Sequence, residues 1–265
     1  MKRAGVVGNP VAHSKSPLIH SYWLEKYGIK ASYEKIEADD IASFIKRAKD
    51  YVGFNVTVPF KTEIMPYADF LSDRAKKAGA VNTVVVRPDG SLYGHNTDGA
   101  GFVANVKRAK PSFNIRESVV VLLGTGGAAR GVCAALTEAA EIRIVYRTLE
   151  KALKIKESVG GNITLVPWKD KEDVLSDADL LANATTLGMN GFDPLEIDLT
   201  SLKKTAVVSD LVYAPLKTDL LKQAENKGFT TADGLGMLLE QARPAFKEWF
   251  GILPEITDEL RMLVL

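Results

Sequence analysis

The run Ser118 to Arg130, SVVVLLGTGGAAR, carries the most specific chemistry in the chain: a small-residue turn between an apolar strand and an alanine-rich helix. Gly124 permits a sharp turn, Gly126 lets backbone N–H groups approach a pyrophosphate, and Ala129 fills the third small position. Thr125, Gly127 and Ala128 complete the loop, and the helix that follows would aim its positive N-terminus at the phosphate. Small-residue turns also join strands to helices for steric reasons alone, so context decides. Val119 to Leu123 is unbroken apolar, as a strand buried on both faces requires, and Ile142 to Tyr146 supplies the next strand after one helix length.

A turn that takes NAD usually has Asp or Glu about 20 residues past the first glycine, where it accepts from the ribose hydroxyls. That place holds Tyr146-Arg147-Thr148. Glu141 is expected ahead of the strand, at its wrong end, and Glu150 is a rival one turn into the following helix. Arg147 offers a planar fork suited to a phosphate, and Lys151 shares its side of the first helical turn. The pair spells a 2′-phosphate pocket and therefore NADP, the alternative being two solvated basic residues after a strand.

These residues need a regular α/β scaffold, and the rest of the chain supplies one. Ala4 to Gly8 reads as a strand, and Ser16-Pro17 as a helix start with Ser16 at the N-cap; Ser14 has no comparable structural duty. Ser32 to Ile36 is a second strand, Ile41 to Tyr51 a helix with Ile41, Phe44, Ile45 and Ala48 on one face, and Gly53 to Val58 a third strand. This βαβ order implies parallel strands, whose carboxyl ends are where open sheets bind ligands. Lys61 follows the third strand at such an end, although a lone Lys there is also an ordinary solvated charge. A short helix Leu71 to Ala78 and a Pro88-Asp89-Gly90 hairpin come next, and His95-Asn96-Thr97-Asp98 then opens a further helix, with Asp98 suited to its N-cap. From Ser118 on, strands and helices alternate, ending in an amphipathic helix, Met237 to Phe250, and a last helix from Thr257.

The chain has 265 residues, with 34 basic and 33 acidic side chains and a net charge of +1. Such a balance offers no field to attract nucleic acid or acidic membrane, so small-molecule partners are expected. The single cysteine, Cys133, reads as a buried small hydrophobe, and His13, His20 and His95 lack metal-ligand spacing, so no metal is implied. The start MKRAGVVGNP lacks a signal-peptide core, and no stretch approaches ~20 continuous apolar residues, so a cytoplasmic location is expected.

Eight motifs in order, GNPVAHSKSP, FNVTVPFK, AGAVNT, YGHNTDGAGF, GTGGAAR, NATTLGM, DLVYAPLKT and GLGMLLEQ, resemble those of the shikimate dehydrogenases from Gly8 to Gln241. The resemblance implies an α/β, two-domain fold: an N-terminal open α/β substrate domain, residues 1–98 with 236–265, and a Rossmann-type dinucleotide-binding domain, residues 99–235. It implies that Ser14 and Ser16 donate to a substrate carboxylate, that Asn55, Thr57, Asn82 and Gln241 contact its hydroxyls or brace the site, and that Lys61 and Asp98 are the catalytic pair. Tyr213 matches a tyrosine near the substrate. Asn183, Thr185, Met189 and Gly234 would line the nicotinamide end. Met237 is grouped with them, although it and the leucines after it read more readily as core. Two positions depart from the family's usual Asn-Arg-Thr followed by Arg: Tyr146 stands for the Asn and Lys151 for the second Arg, and Tyr146 could stack on the adenine instead.

The expected activity is the NADP-linked interconversion of 3-dehydroshikimate and shikimate, by a monomer or a homodimer. The alternatives are a quinate/shikimate dehydrogenase with broader substrate or NAD use, and a non-catalytic protein that senses these acids. The presence of both Lys61 and Asp98 weighs against the sensor, and Arg147 with Lys151 against an NAD enzyme.

Overall fold

The structure is a computed structural model and describes all residues from Met1 to Leu265. The chain divides into two compact units, Met1–Thr97 with Leu239–Leu265, and Asp98–Leu238. In chain order the first stretch holds β1 (Lys2–Gly8), α1 (Ser16–Lys26), β2 (Ala31–Glu37), α2 (Ile41–Ile45), β3 (Gly53–Val56), β4 (Phe70–Leu71), α3 (Asp73–Ala78), β5 (Thr83–Val86) and β6 (Leu92–His95). Next come α4 (Asp98–Ala109), β7 (Val119–Leu123), α5 (Gly127–Ala135), β8 (Glu141–Tyr146), α6 (Leu149–Val159) and β9 (Ile163–Pro167). The remainder is β10 (Leu180–Asn183), β11 (Val207–Asp210), α7 (Asp219–Asn226), β12 (Thr230–Ala232), α8 (Gly234–Phe250) and α9 (Asp258–Val264).

The sheet of the first unit has the order β2-β1-β3-β5-β6-β4. Its β2-β1-β3 half is parallel, as the βαβ pattern predicts; β5 then pairs antiparallel with β3 and, through the Pro-Asp-Gly hairpin, with β6. Phe44, Phe54, Val56, Phe60 and Ile64 pack one core on this sheet. A separate aromatic group gathers His20, Trp23, Tyr33, Phe246 and Trp249, and the Trp249 indole N–H donates to the Val84 carbonyl at 2.9 Å.

The second unit is a parallel sheet of order β12-β11-β10-β7-β8-β9, the doubly wound order in which the chain reverses direction between β7 and β10. The continuous apolar run of β7 has its physical reason in the two cores it feeds. Val120 and Leu122 face a cluster with Phe102, Ala129 and Val132, whereas Val121 and Leu123 face one with Leu181, Leu220 and Leu221. Cys133 is fully buried in the first of these cores.

Four expectations are corrected. The periodic run Ile41 to Tyr51 is helical only to Ile45; tighter bonds, Arg47 N–H to the Phe44 carbonyl and Tyr51 N–H to the Ala48 carbonyl, follow it. Tyr51 is drawn away because its hydroxyl donates to Glu34 at 2.7 Å. Ser16 is not the N-cap of α1: Lys15 takes that place, Ser16 is already helical, and its N–H donates to the Ser14 hydroxyl at 3.3 Å, which gives Ser14 a structural duty after all. Asp98 is the first residue within α4, preceded by Thr97, and Glu141 is the first residue of β8 rather than a residue ahead of it.

Candidate active site

In the first unit, the strand ends and the turns after them bring the expected polar residues into one hydrogen-bonded group. Asn55, in β3, donates from Nδ2 to the Asn82 carbonyl and to the Thr83 hydroxyl, both at 3.1 Å, while its Oδ1 accepts from the Tyr33 hydroxyl at 2.6 Å. Both N–H groups and the oxygen of this amide are therefore engaged within the protein, so Asn55 is a brace. Asn82 Oδ1 accepts from the Thr97 N–H at 2.9 Å, and its Nδ2 donates to the Thr97 hydroxyl at 2.9 Å and to Gln241 Oε1 at 3.3 Å. Asn55, Asn82, Thr97 and Gln241 are all buried.

Lys61 is tied to the same group through its backbone, because its carbonyl accepts from the Val81 N–H at 2.7 Å, next to Asn82. Its side chain is half-buried, as is Thr57, whose N–H donates to the Val7 carbonyl. Asp98 is buried at the start of α4. At the other end of the group, Ser16 is buried and bonded to the Tyr33 hydroxyl. Tyr33 already donates to the acceptor-only oxygen of Asn55, so the Ser16 hydroxyl donates to Tyr33. Burial holds the Tyr33 phenol well above its usual range. Tyr33 was invisible in the sequence, although its place in β2 beside β1 could have drawn attention to it.

In the second unit, the glycine turn leaves β7 at the point where strand order reverses. Gly124 has φ of +107°, and a Cβ on it would lie 3.0 Å from the Ala184 carbonyl, so only glycine fits. Gly126 is the N-cap of α5 and offers no side chain to the first-turn N–H groups; a Cβ there would meet no atom within 4 Å. This open cradle at a helix N-terminus, with Thr125, Gly127 and Ala128 half-buried around it, fits a dinucleotide pyrophosphate.

The loop after β10 faces the same reversal. Asn183 is fully buried: its Oδ1 accepts from the N–H and hydroxyl of Thr185, and its Nδ2 donates to the Leu187 carbonyl and to Asp210 at 3.0 Å. Asp210 also accepts from the Thr218 hydroxyl and the Val212 N–H, yet burial pushes its carboxyl up to about 6. Met189 donates its N–H to the Thr186 carbonyl, which continues this folded turn. Tyr213 is half-buried, its phenol raised by desolvation, and Gly234 is buried at the start of α8. Met237 is buried in the core beside Phe102 and Val106, in keeping with the core reading of that residue.

Tyr146 is half-buried at the end of β8, and Arg147 and Thr148 are exposed just beyond it, with Thr148 as the N-cap of α6 and Lys151 exposed in its first turn. The Glu150 carboxylate accepts from Lys154 at 2.7 Å, an i,i+4 pair that engages the rival acidic group. Glu141, at the opposite end of β8, is bonded to Arg143 at 2.8 Å and Thr164 at 2.6 Å.

A doubly wound sheet with a glycine turn, in one chain with an α/β unit lined by amides and hydroxyls, defines a dinucleotide-linked dehydrogenase of a small polar substrate. The family model described as the shikimate dehydrogenase substrate binding domain matches residues 6–84, and that described as shikimate/quinate 5-dehydrogenase matches residues 107–191. The NADP(+) shikimate dehydrogenase of Dinoroseobacter shibae is 45% identical over 268 residues, which cover 99% of this chain and 96% of the relative. Shikimate 5-dehydrogenase of Thermus thermophilus, solved with NADP(H) and shikimate, superposes with a TM-score of 0.86 at 34% identity, covering 100% of this chain and 98% of that one. Quinate dehydrogenase of Corynebacterium glutamicum, solved with NAD, gives a TM-score of 0.89 at 29% identity, covering 99% and 97%. The chain belongs to the shikimate dehydrogenase family.

Proposed function

We propose that this chain catalyses the reversible NADP-linked reduction of 3-dehydroshikimate to shikimate, a step of aromatic amino acid biosynthesis. The observation that carries the reading is the buried amide and hydroxyl group of Asn55, Asn82, Thr97 and Gln241, bonded in place and adjoining the backbone of Lys61. An uncharged set of fixed donors and acceptors suits a substrate with several hydroxyls, and it rejects analogues lacking them by up to roughly 10⁴ to 10⁵.

Ser14 and Ser16 donate to the substrate carboxylate, Ser16 by turning its one O–H from Tyr33 to the acid, and Thr57, Asn82 and Gln241 contact its hydroxyls, with Asn55 bracing them. A bound reduced nicotinamide would supply the hydride that the carbonyl carbon accepts. Lys61 delivers the proton that the developing alkoxide needs, and Asp98 keeps the ammonium charged and oriented. Gly124 to Ala128 hold the pyrophosphate. Arg147, Thr148 and Lys151 hold the 2′-phosphate, and Asn183, Thr185, Met189, Tyr213 and Gly234 shape the nicotinamide end.

Lys61→Ala tests the proton role. Turnover should fall by roughly 10² to 10⁴ while KM for shikimate rises much less. A variant with near-normal turnover would remove Lys61 from the mechanism.

A further inference from the structure

We propose that Trp168 is a specificity-determining positioning residue: its indole holds the Arg147 guanidinium ready to grip a 2′-phosphate, and so favours the phosphorylated cofactor over the unphosphorylated one. The inference rests on the NADP reading above and deepens it.

β8 and β9 run parallel with Tyr146 opposite Pro167, so the next residue of each strand, Arg147 and Trp168, emerges side by side at the carboxyl edge. The central carbon of the Arg147 guanidinium lies 4.5 Å from the centroid of the Trp168 ring, well inside the range of a cation–π contact. Trp168 is itself anchored, half-buried against the core that contains Val145, Val166 and Leu175. Lys171 Nζ lies 6.0 Å from the same ring, which adds a second positive charge to this edge.

Face-on stacking of this kind leaves an arginine's donors available. A guanidinium stacks through its face, whereas its N–H groups point outward in its plane, where a phosphate is bound through two parallel hydrogen bonds. An exposed arginine without a platform must lose its rotamer freedom when the phosphate arrives; one already held on an indole loses less. No equivalent help is given to a cofactor that lacks the phosphate, because Glu150, the acidic group nearest to Arg147 in the chain, is paired with Lys154.

The test compares the wild-type protein with Trp168→Leu and Trp168→Phe, by calorimetry of 2′,5′-ADP, which carries the phosphate, and of 5′-AMP, which lacks it, and by shikimate oxidation with NADP and NAD. Trp168→Leu should weaken 2′,5′-ADP and raise KM for NADP by about 3- to 5-fold, leaving 5′-AMP, NAD and turnover unchanged, and Trp168→Phe, which keeps a ring face, should recover most of the loss. Unchanged 2′,5′-ADP affinity in Trp168→Leu would overturn the proposal. So would an equal loss for both nucleotides, which would make the ring a mere support for β9, or a loss in Trp168→Phe as large as in Trp168→Leu. A wild-type protein that binds 5′-AMP as tightly as 2′,5′-ADP would overturn the NADP reading itself, whatever the variants do.

Discussion

The Tyr33 hydroxyl donates to Oδ1 of Asn55 at 2.6 Å while accepting from Ser16, and this one oxygen thereby links the end proposed to bind the acid with the end proposed to bind hydroxyls. Tyr33→Phe removes the link but keeps the ring stacked on His20, 4.2 Å between centroids. The buried Asn55 oxygen loses its donor, which should cost about 1–3 kcal/mol of stability in a thermal or urea melt. KM for shikimate should rise about 3- to 10-fold with a smaller change in turnover, as for a lost ground-state positioning contact. A fall in turnover at unchanged KM would contradict this role.

His20 is fully buried, with neither ring nitrogen hydrogen-bonded, and desolvation lowers its pKa to about 3. The unfolded chain takes up a proton near the ordinary histidine value of about 6.5, whereas the folded chain does not until near 3. The unfolded state thus binds more protons across that window. This part of the stability is present above about pH 6.5 and is lost as pH falls toward about 3, by up to about 1.4 kcal/mol per pH unit. Urea melts from pH 7 to 4 should show a shallower acid loss in His20→Phe than in the wild type. Parallel slopes for the two proteins would show that His20 does not set this loss.

Arg147→Gln removes the planar fork while leaving the glycine turn intact. The ratio of kcat/KM for NADP to that for NAD should fall about 10- to 100-fold, as expected for one charged hydrogen-bonded contact. Because Glu150 is held by Lys154, the variant should lose NADP without gaining much NAD activity. An unaltered ratio would place the 2′-phosphate elsewhere.

Much of this architecture was legible because local pattern and tertiary demand agree. β7 is apolar at every position since both its faces are buried, and the glycines after it stand where a side chain would strike Ala184 or fill the cradle. The helix expected to run on to Tyr51 failed for the opposite reason. Its apolar period is real, but Tyr51 answers to Glu34 and to Arg3, 4.8 Å from its ring, both outside any local window. Ser16 looked like a cap because Ser-Pro usually is one; its hydroxyl goes instead to Tyr33, 17 positions away, because α1 packs against β2. Trp168 likewise gains meaning only from the register that sets it beside Arg147.

The central claim is an NADP-linked oxidoreductase of shikimate, and initial rates test it most directly. Shikimate and quinate would each be oxidised by the purified protein with NADP and with NAD, following reduced nicotinamide by absorbance. Activity confined largely to shikimate with NADP is the predicted result. Comparable rates with quinate or with NAD would contradict the assigned selectivity, and no activity with any of the four pairs would contradict the proposal that this chain is the enzyme at all.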